Sequence, residues 1–368
     1  MKSIKSKLLG IIYILLLTCT YTYPMSLFEG RQSGLDLMID ARGFYSDTDL
    51  GYYTDGSLFY HYDLSNDWSL AYLVSAMYDS SYDSNVYKSL GENYLSIDNY
   101  YLGTLDIGTT PTVYYNGFLA GWLDWGFTRG YEIIDSNRYS DYFALRNASH
   151  SLFYTYQLHN MKIALQFSGK DNEEYENSPI GGNRKYGIGS GFVYALGPIS
   201  FSTSYLVSDY DRTSSLSKVI DDNSGFSTMQ VLNAGLKFQY AGIYSVLGLF
   251  YDKNRWTLGN ESIALNYLLR YDNNKKQKWV PQVMYGVREY VTTGYTDKQQ
   301  SNADRNMVSD NFIYLSLSYY FNYHFSIYAE NKIDIRSNKQ INKAQDYGID
   351  SKDERDNMVG IGLSYELF

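Results

Sequence analysis

Four histidines (His61, His150, His159 and His324) and one cysteine, Cys19, are the side chains of this 368-residue chain best suited to general-base, soft-metal or thiol chemistry. They are scattered, and none belongs to a recognisable catalytic or ligating motif. The sequence carries no zinc cage, no disulfide framework and no activated nucleophile, so we expect no metal, no cofactor and no enzyme activity. Charge is what remains. Forty acids against 31 bases give a formal net charge of −9, which argues against nucleic acid as a partner. Charged groups far apart in sequence act together only when a fold aligns them, so their meaning depends on the elements that carry them.

Residues 1–26 read as a secretory leader. Lys2, Lys5 and Lys7 precede an apolar run from Leu8 to Thr18, 11 residues long, too short to span a bilayer and the right length for a signal segment. A cut near Pro24–Ser26 leaves residues 27–368 as a single domain. Removing 26 of 368 residues leaves 342, which keep all 40 acids and lose three of the 31 bases, so the formal charge falls to −12. No later stretch approaches the 18 consecutive apolar residues of a membrane helix.

Period-two alternation dominates instead. Ile313, Leu315, Leu317, Tyr319 and Phe321 share one face of a strand, and Tyr314, Ser316, Ser318 and Tyr320 the other. Phe325, Ile327, Ala329, Ile333 and Ile335, interrupted by Asn331, stand against Ser326, Tyr328, Glu330, Lys332 and Asp334. Ile163, Leu165 and Phe167 alternate with Ala164, Gln166 and Ser168. A soluble sandwich or adhesin gives the same period. Here, however, the apolar faces begin or end in Tyr, Trp or Phe, as interfacial girdles do.

Connections alternate between short and long. Short ones are expected at 64–68, 108–111, 159–160, 197–198, 241–242, 273–276 and 322–324. Long polar ones are expected at 79–92, 117–147, 169–186, 209–227, 252–261, 290–310 and 337–357, with a shorter one at 46–54. Seven and eight connections make fifteen, hence sixteen strands. The fold class is all-β: a sixteen-stranded antiparallel transmembrane β-barrel with short periplasmic turns and long outer loops. The alternation then makes Asp36, Asp40 and Arg42 on the first strand face the lumen. Lys237, Arg270, Arg288, Glu330, Lys332 and Asp334 follow on later strands.

Tyr319-Tyr320-Phe321-Asn322, followed by Ser326-Ile327-Tyr328-Ala329-Glu330-Asn331-Lys332-Ile333, resembles a strand–turn–strand stretch of the general diffusion porins of Gram-negative outer membranes, the enterobacterial trimeric type. Ile163–Lys170 (IALQFSGK), Gly187–Tyr194 (GIGSGFVY) and a terminal Phe368 resemble further stretches of that family in the same order. The resemblance implies a homotrimer set in outer-membrane lipid and lipopolysaccharide. It implies passive diffusion of small hydrophilic solutes and ions, with Phe368 as the assembly signal read by the barrel assembly machinery. Phe368 lies one residue past the alternation Val359, Ile361, Leu363, Tyr365, Leu367.

It also implies a third loop, here 117–147, folded inward to narrow the pore. The family's P-E-F-G-G-D stretch is absent from that loop, and Trp122-Leu123-Asp124-Trp125-Gly126-Phe127 stands in its place. By the same resemblance, loop acids Asp124 and Glu132 oppose wall bases Arg42 and Arg146 across the constriction, creating a transverse field. Asp40 stands where the family commonly has Lys, and Asp55 where Arg is usual. With the −12 charge, these substitutions predict a preference for cations. A substrate-selective channel, for oligosaccharides for example, is the alternative. A barrel enzyme is a weaker one, since His61 beside Tyr60 and Tyr62 reads as readily as a girdle residue as it does a base.

Overall fold

The computed structural model describes residues 25–30, 32–46, 49–79, 87–115, 118–123, 147–170, 183–211, 228–253, 261–272, 278–292, 307–322, 325–340, 342 and 357–367. Its strands are β1 (Met25–Glu29), β2 (Ser33–Ser46), β3 (Asp49–Asp63), β4 (Trp68–Asp79), β5 (Tyr87–Asn99) and β6 (Gly103–Pro111). A short helix, α1 (Leu119–Leu123), precedes β7 (Asn147–Leu158), β8 (Met161–Ser168), β9 (Asn183–Leu196), β10 (Ile199–Asp211) and β11 (Thr228–Tyr240). Then come β12 (Ile243–Lys253), β13 (Glu261–Tyr271), β14 (Trp279–Thr292), β15 (Met307–Tyr320), β16 (Phe325–Asp334) and β17 (Met358–Leu367).

From β2 to β17 each strand pairs antiparallel with its sequence neighbours, and β17 returns to β2, from Gly360↔Ser46 to Leu367↔Ile39. The result is a closed ring of sixteen. β1 lies on the same edge of β2 as β17 does, from Met25↔Leu37 to Glu29↔Gly34, so the two share one barrel position end to end. Closure gives every ladder group a partner and leaves no edge to template aggregation, a condition that apolar surroundings make obligatory.

The two faces of the sheet are inverted relative to a water-soluble protein. Along β15, Leu315 and Leu317 are each 43% exposed, while Ser316 and Ser318 between and beyond them are buried. Ile163, Leu165 and Phe167 are exposed and Gln166 and Ser168 buried on β8, and the same order recurs around the ring. A continuous exposed belt of leucine, isoleucine and phenylalanine is far larger than the apolar patches that water-soluble monomers tolerate, whereas lipid solvates it. At the turn end the belt closes in an aromatic ladder. Ring centroids lie 4.7 Å apart for Trp279–Tyr319, 5.0 Å for Tyr319–Phe321 and 5.2 Å for Phe321–Phe325.

Tight turns carry the backbone chemistry that their residues allow. Ala241 and Gly242 both have positive φ, 50° and 83°, as a two-residue type I′ hairpin needs, and Gly197 at 57° precedes Pro198 as in type II′. One expected turn is misplaced. Gly108–Pro111 is the end of β6, and the chain reverses instead at Tyr100–Leu102. There the Asn99 side chain accepts hydrogen bonds from the Tyr101 and Leu102 amides at 3.0 and 2.9 Å, and Gly103 takes φ 89°. Gly108 and Pro111 read as turn residues because they mark a β-bulge between Gly108 and Thr110 and the strand's exit. The outer loop expected at 46–54, the shortest of the eight, is mostly strand as well, since β2 reaches Ser46 and β3 starts at Asp49. Beyond the apolar belt a strand needs only its ladder, so polar residues such as Glu92, Asp211 and Lys253 continue strands that composition assigns to loops.

Candidate pore and constriction

The inner face is defined by what packs against it. Thr112–Tyr115 and Phe118–Leu123, the start of the third loop, lie inside the ring against β8–β13, and Val113, Phe118, Leu119, Ala120 and Leu123 are fully buried there. The Val113 amide donates to Gln166 Oε1 at 3.0 Å, and the Tyr244 hydroxyl donates to the Trp122 carbonyl at 2.8 Å, which ties both ends of this segment to the wall. The expectation of an inward-folded third loop thus holds for its described part.

Glycines make the seat. A Cβ at Gly191 would lie 2.4 Å from Phe118 Cε1, and one at Gly248 would lie 2.9 Å from Leu123 Cδ1. Around them Met229, Val231, Val246, Phe250, Leu268 and Met284 form an apolar lumen wall that the helix covers. At Gly248 the nearest atoms a Cβ would meet belong to the α1 side chains Leu123 and Leu119, so Gly248→Leu should leave the ladder intact and lift α1. Overpacking of this kind costs about 1–3 kcal/mol. Because α1 is then pushed off the wall into the lumen, single-channel conductance is expected to fall, and Leu123→Ala in the same background to bring it back. Unchanged conductance in Gly248→Leu would mean that α1 does not set the aperture.

Among the described side chains, which do not include Arg42 on β2, charge divides by arc. On β2–β6 the inner face carries Asp36, Asp98 and Asp106, with Thr104 Oγ1 donating to Asp98 Oδ1 at 2.5 Å. On β8–β16 it carries Lys162, Lys237, Arg270, Arg288 and Lys332, interspersed with Asp252, Glu330 and Asp334. Lys162 Nζ sits 5.2 Å above the Phe118 ring and Lys237 Nζ 4.4 Å above the Trp122 ring, so the bases of this arc hold the loop through cation–π contact. Arg288 Nη1 meets Asp252 Oδ2 at 3.3 Å with both side chains buried. Arg184, fully buried, donates through Nη2 to the Ser149 carbonyl and hydroxyl at 3.2 and 3.1 Å, and through Nε to the Gly169 carbonyl at 3.3 Å, which clamps β7, β8 and β9 at the loop end.

Of the residues singled out from sequence, Arg270, Arg288, Glu330, Lys332 and Asp334 are buried on the inner face, and Asp36 and Lys237 are half-buried there. Asp124, Glu132, Arg146 and Phe368 lie outside the described residues. Asp40 and Arg42 are described in backbone only: Asp40 stands opposite Asp55 and Glu366, and Arg42 opposite Tyr53 and Ser364. His61 is not on the girdle face. It shares the inner face with Gly34 and Phe59, its ring 6.1 Å from that of Phe59, while Tyr60 and Tyr62 point out. Lys162, Arg184 and Asp252, the partner of Arg288, are the site residues that sequence reasoning passed over.

A closed sixteen-stranded ring with an apolar outside, a charged inside and a loop helix seated within it defines a porin-type β-barrel. No protein-family model matches the chain. It is similar to the outer membrane porin protein OmpD of Salmonella typhimurium LT2, 23% identical over 214 residues that make up 56% of this chain and 54% of that protein. The match to OmpD of Salmonella choleraesuis has the same identity and extent, so the chain spans about half the length of the curated relatives it matches. Among solved structures, OmpF of Salmonella typhi in complex with daunomycin superposes with a TM-score of 0.71 at 14% identity, covering 92% of this chain and 99% of that one. OmpT of Vibrio cholerae gives 0.64 at 12% identity over 93% and 99%. The outer membrane channel DcaP of Acinetobacter baumannii gives 0.63 at 13% over 92% and 99%.

Proposed function

We propose that this protein is an outer-membrane porin, a channel rather than an enzyme, through which small hydrophilic solutes and ions diffuse passively. In this reading residues 1–26 are a leader removed on export, and the barrel machinery inserts 27–368 using the terminal Phe368. Three copies then assemble in lipid and lipopolysaccharide. The observation that carries the reading is the inverted sheet: leucines exposed outside, serines and charges inside, with α1 held to one side of the lumen by β10–β13. Porin relatives and porin-fold neighbours support it.

The finer proposal is a preference for cations. It rests on the chain's charge of −9 and on the acids Asp36, Asp98 and Asp106 along the arc that faces α1 across the lumen. Asp124 and Glu132 on the loop and Arg42 and Arg146 on the wall remain the proposed constriction charges. Purified protein, whose intact mass also reads the leader cut, is expected to give large ohmic steps in planar bilayers. Across a potassium chloride gradient its reversal potential should carry the cation sign. Absence of steps removes the channel reading, an anion sign removes only the selectivity, and sugar-dependent blockage marks a substrate-selective channel.

A further inference from the structure

Below α1, at the turn end of the lumen, lies a cavity of about 650 Å³ that Trp122, Lys237, Gln239, Tyr244, Arg270 and Asp272 line and that reaches the Ala241–Gly242 turn. Its charges are unequal. Arg270 Nη2 contacts Asp272 Oδ2 at 2.7 Å, which neutralises that guanidinium locally. Lys237 adds an ammonium whose ladder neighbours on the inner face are Ser200 and Val246, both uncharged. Lys237, Arg270 and Asp272 together thus give the cavity one net positive charge, inside a chain whose total is −9. The Lys237 ammonium lies 4.4 Å from the Trp122 ring centroid. A ring face attracts a cation but accepts few of its three N–H donors, so an oxyanion is the natural further partner. Tyr244, Trp122 and the apolar stem of Lys237 leave room for a flat or apolar ring beside that oxyanion.

We propose that this cavity is a binding subsite for small ring-bearing organic oxyanions, carboxylates or phosphates, on the base-rich side of the lumen. The proposal rests on the channel reading and adds a solute class to it. Cations then follow the acidic arc of β2–β6, while an aromatic carboxylate is held on the opposite wall at Lys237. An oxyanion that replaces the aqueous partners of a half-buried ammonium gains a charge-assisted hydrogen bond, and 1.4 kcal/mol of such preference is about tenfold in affinity.

Two readouts test it on the folded, detergent-solubilised protein and on bilayer channels. Benzoate should shift the intrinsic tryptophan fluorescence at concentrations about tenfold lower than uncharged benzamide of the same shape, and should interrupt single-channel current with the same ranking. Phenyl phosphate serves as the second oxyanion: equal potency with benzoate supports a site for either, and a strong bias assigns it to one. Lys237→Gln should abolish the difference between benzoate and benzamide, and Lys237→Arg should keep it. If benzoate and benzamide act alike on the parent protein, or if Lys237→Gln still discriminates them, the subsite is overturned. Because fluorescence needs no conduction, a protein that binds benzoate but shows no current steps overturns the channel reading alone. Steps without any oxyanion preference overturn the subsite alone.

Discussion

Leu315→Arg is expected to destabilise the folded barrel by about 2–4 kcal/mol, although Leu315 is 43% exposed. In a water-soluble sheet an exposed leucine on a strand accepts arginine with almost no change, because the guanidinium stays hydrated. Here Leu315 sits in the middle of the outer belt, opposite Val283 and Asn331 and two rows from the Trp279–Tyr319 girdle pair. Arginine at that depth has to reach the interface or draw water into the hydrocarbon. One residue along, Ser316→Arg points inward between Gln282 and Glu330, where a carboxylate and lumen water receive it, and its expected cost stays within about 1 kcal/mol. Urea unfolding in lipid vesicles, followed by the mobility difference between folded and heated protein, reads both. Equal, small effects at the two positions would place water on both sides of β15 and remove the membrane barrel.

This contrast between neighbouring residues is legible in the sequence, because alternation is unbroken in β8 and from Ile313 to Tyr320 of β15, and in β16 is interrupted at Asn331 alone. It blurs in β11–β13, and for a physical reason. Val231, Val246, Phe250 and Leu268 face inward there while Leu232, Leu236, Leu247, Leu249 and Ile263 face out, so these strands are apolar on both faces. Strands apolar on both sides inside an otherwise alternating barrel are the sequence trace of the wall on which the loop is seated, together with the glycines Gly235 and Gly248 that make space for it. The misplaced turn has a comparable cause. An Asn four residues before an ordinary strand, with two tyrosines and a leucine between Asn99 and Gly103, looks like girdle rather than turn, and the side-chain cap of Asn99 with the positive φ of Gly103 makes it reverse. Cation–π anchoring of the loop by Lys162 and Lys237 was out of reach of sequence, since both contacts join residues more than forty positions apart.

Arg288→Ala should destabilise the barrel by about 3–5 kcal/mol. Arg288 and Asp252 project from β14 and β12, two strands apart across Ala264 and Ser262 of β13, and meet at 3.3 Å with side chains 6% and 2% exposed. Deep burial makes the carboxylate dependent on its neighbours. Without the guanidinium, Asp252 remains in a wall whose nearby inner-face groups include Phe250 and Ala264, both buried, and its desolvation loses the compensation that this pair supplied. Replacing both partners with apolar residues of similar bulk, Arg288→Met with Asp252→Leu, removes the unbalanced charge along with the pair. That double variant should lie within about 1 kcal/mol of the parent or above it. Urea midpoints of the two single variants and the double variant form the cycle that measures the coupling. If the double variant loses as much as Arg288→Ala alone, the pair is a solvated contact in the lumen, and the wall at that height is wet. If it recovers, the segment of lumen above α1 is a packed region that channels solute past the opposite, acidic arc.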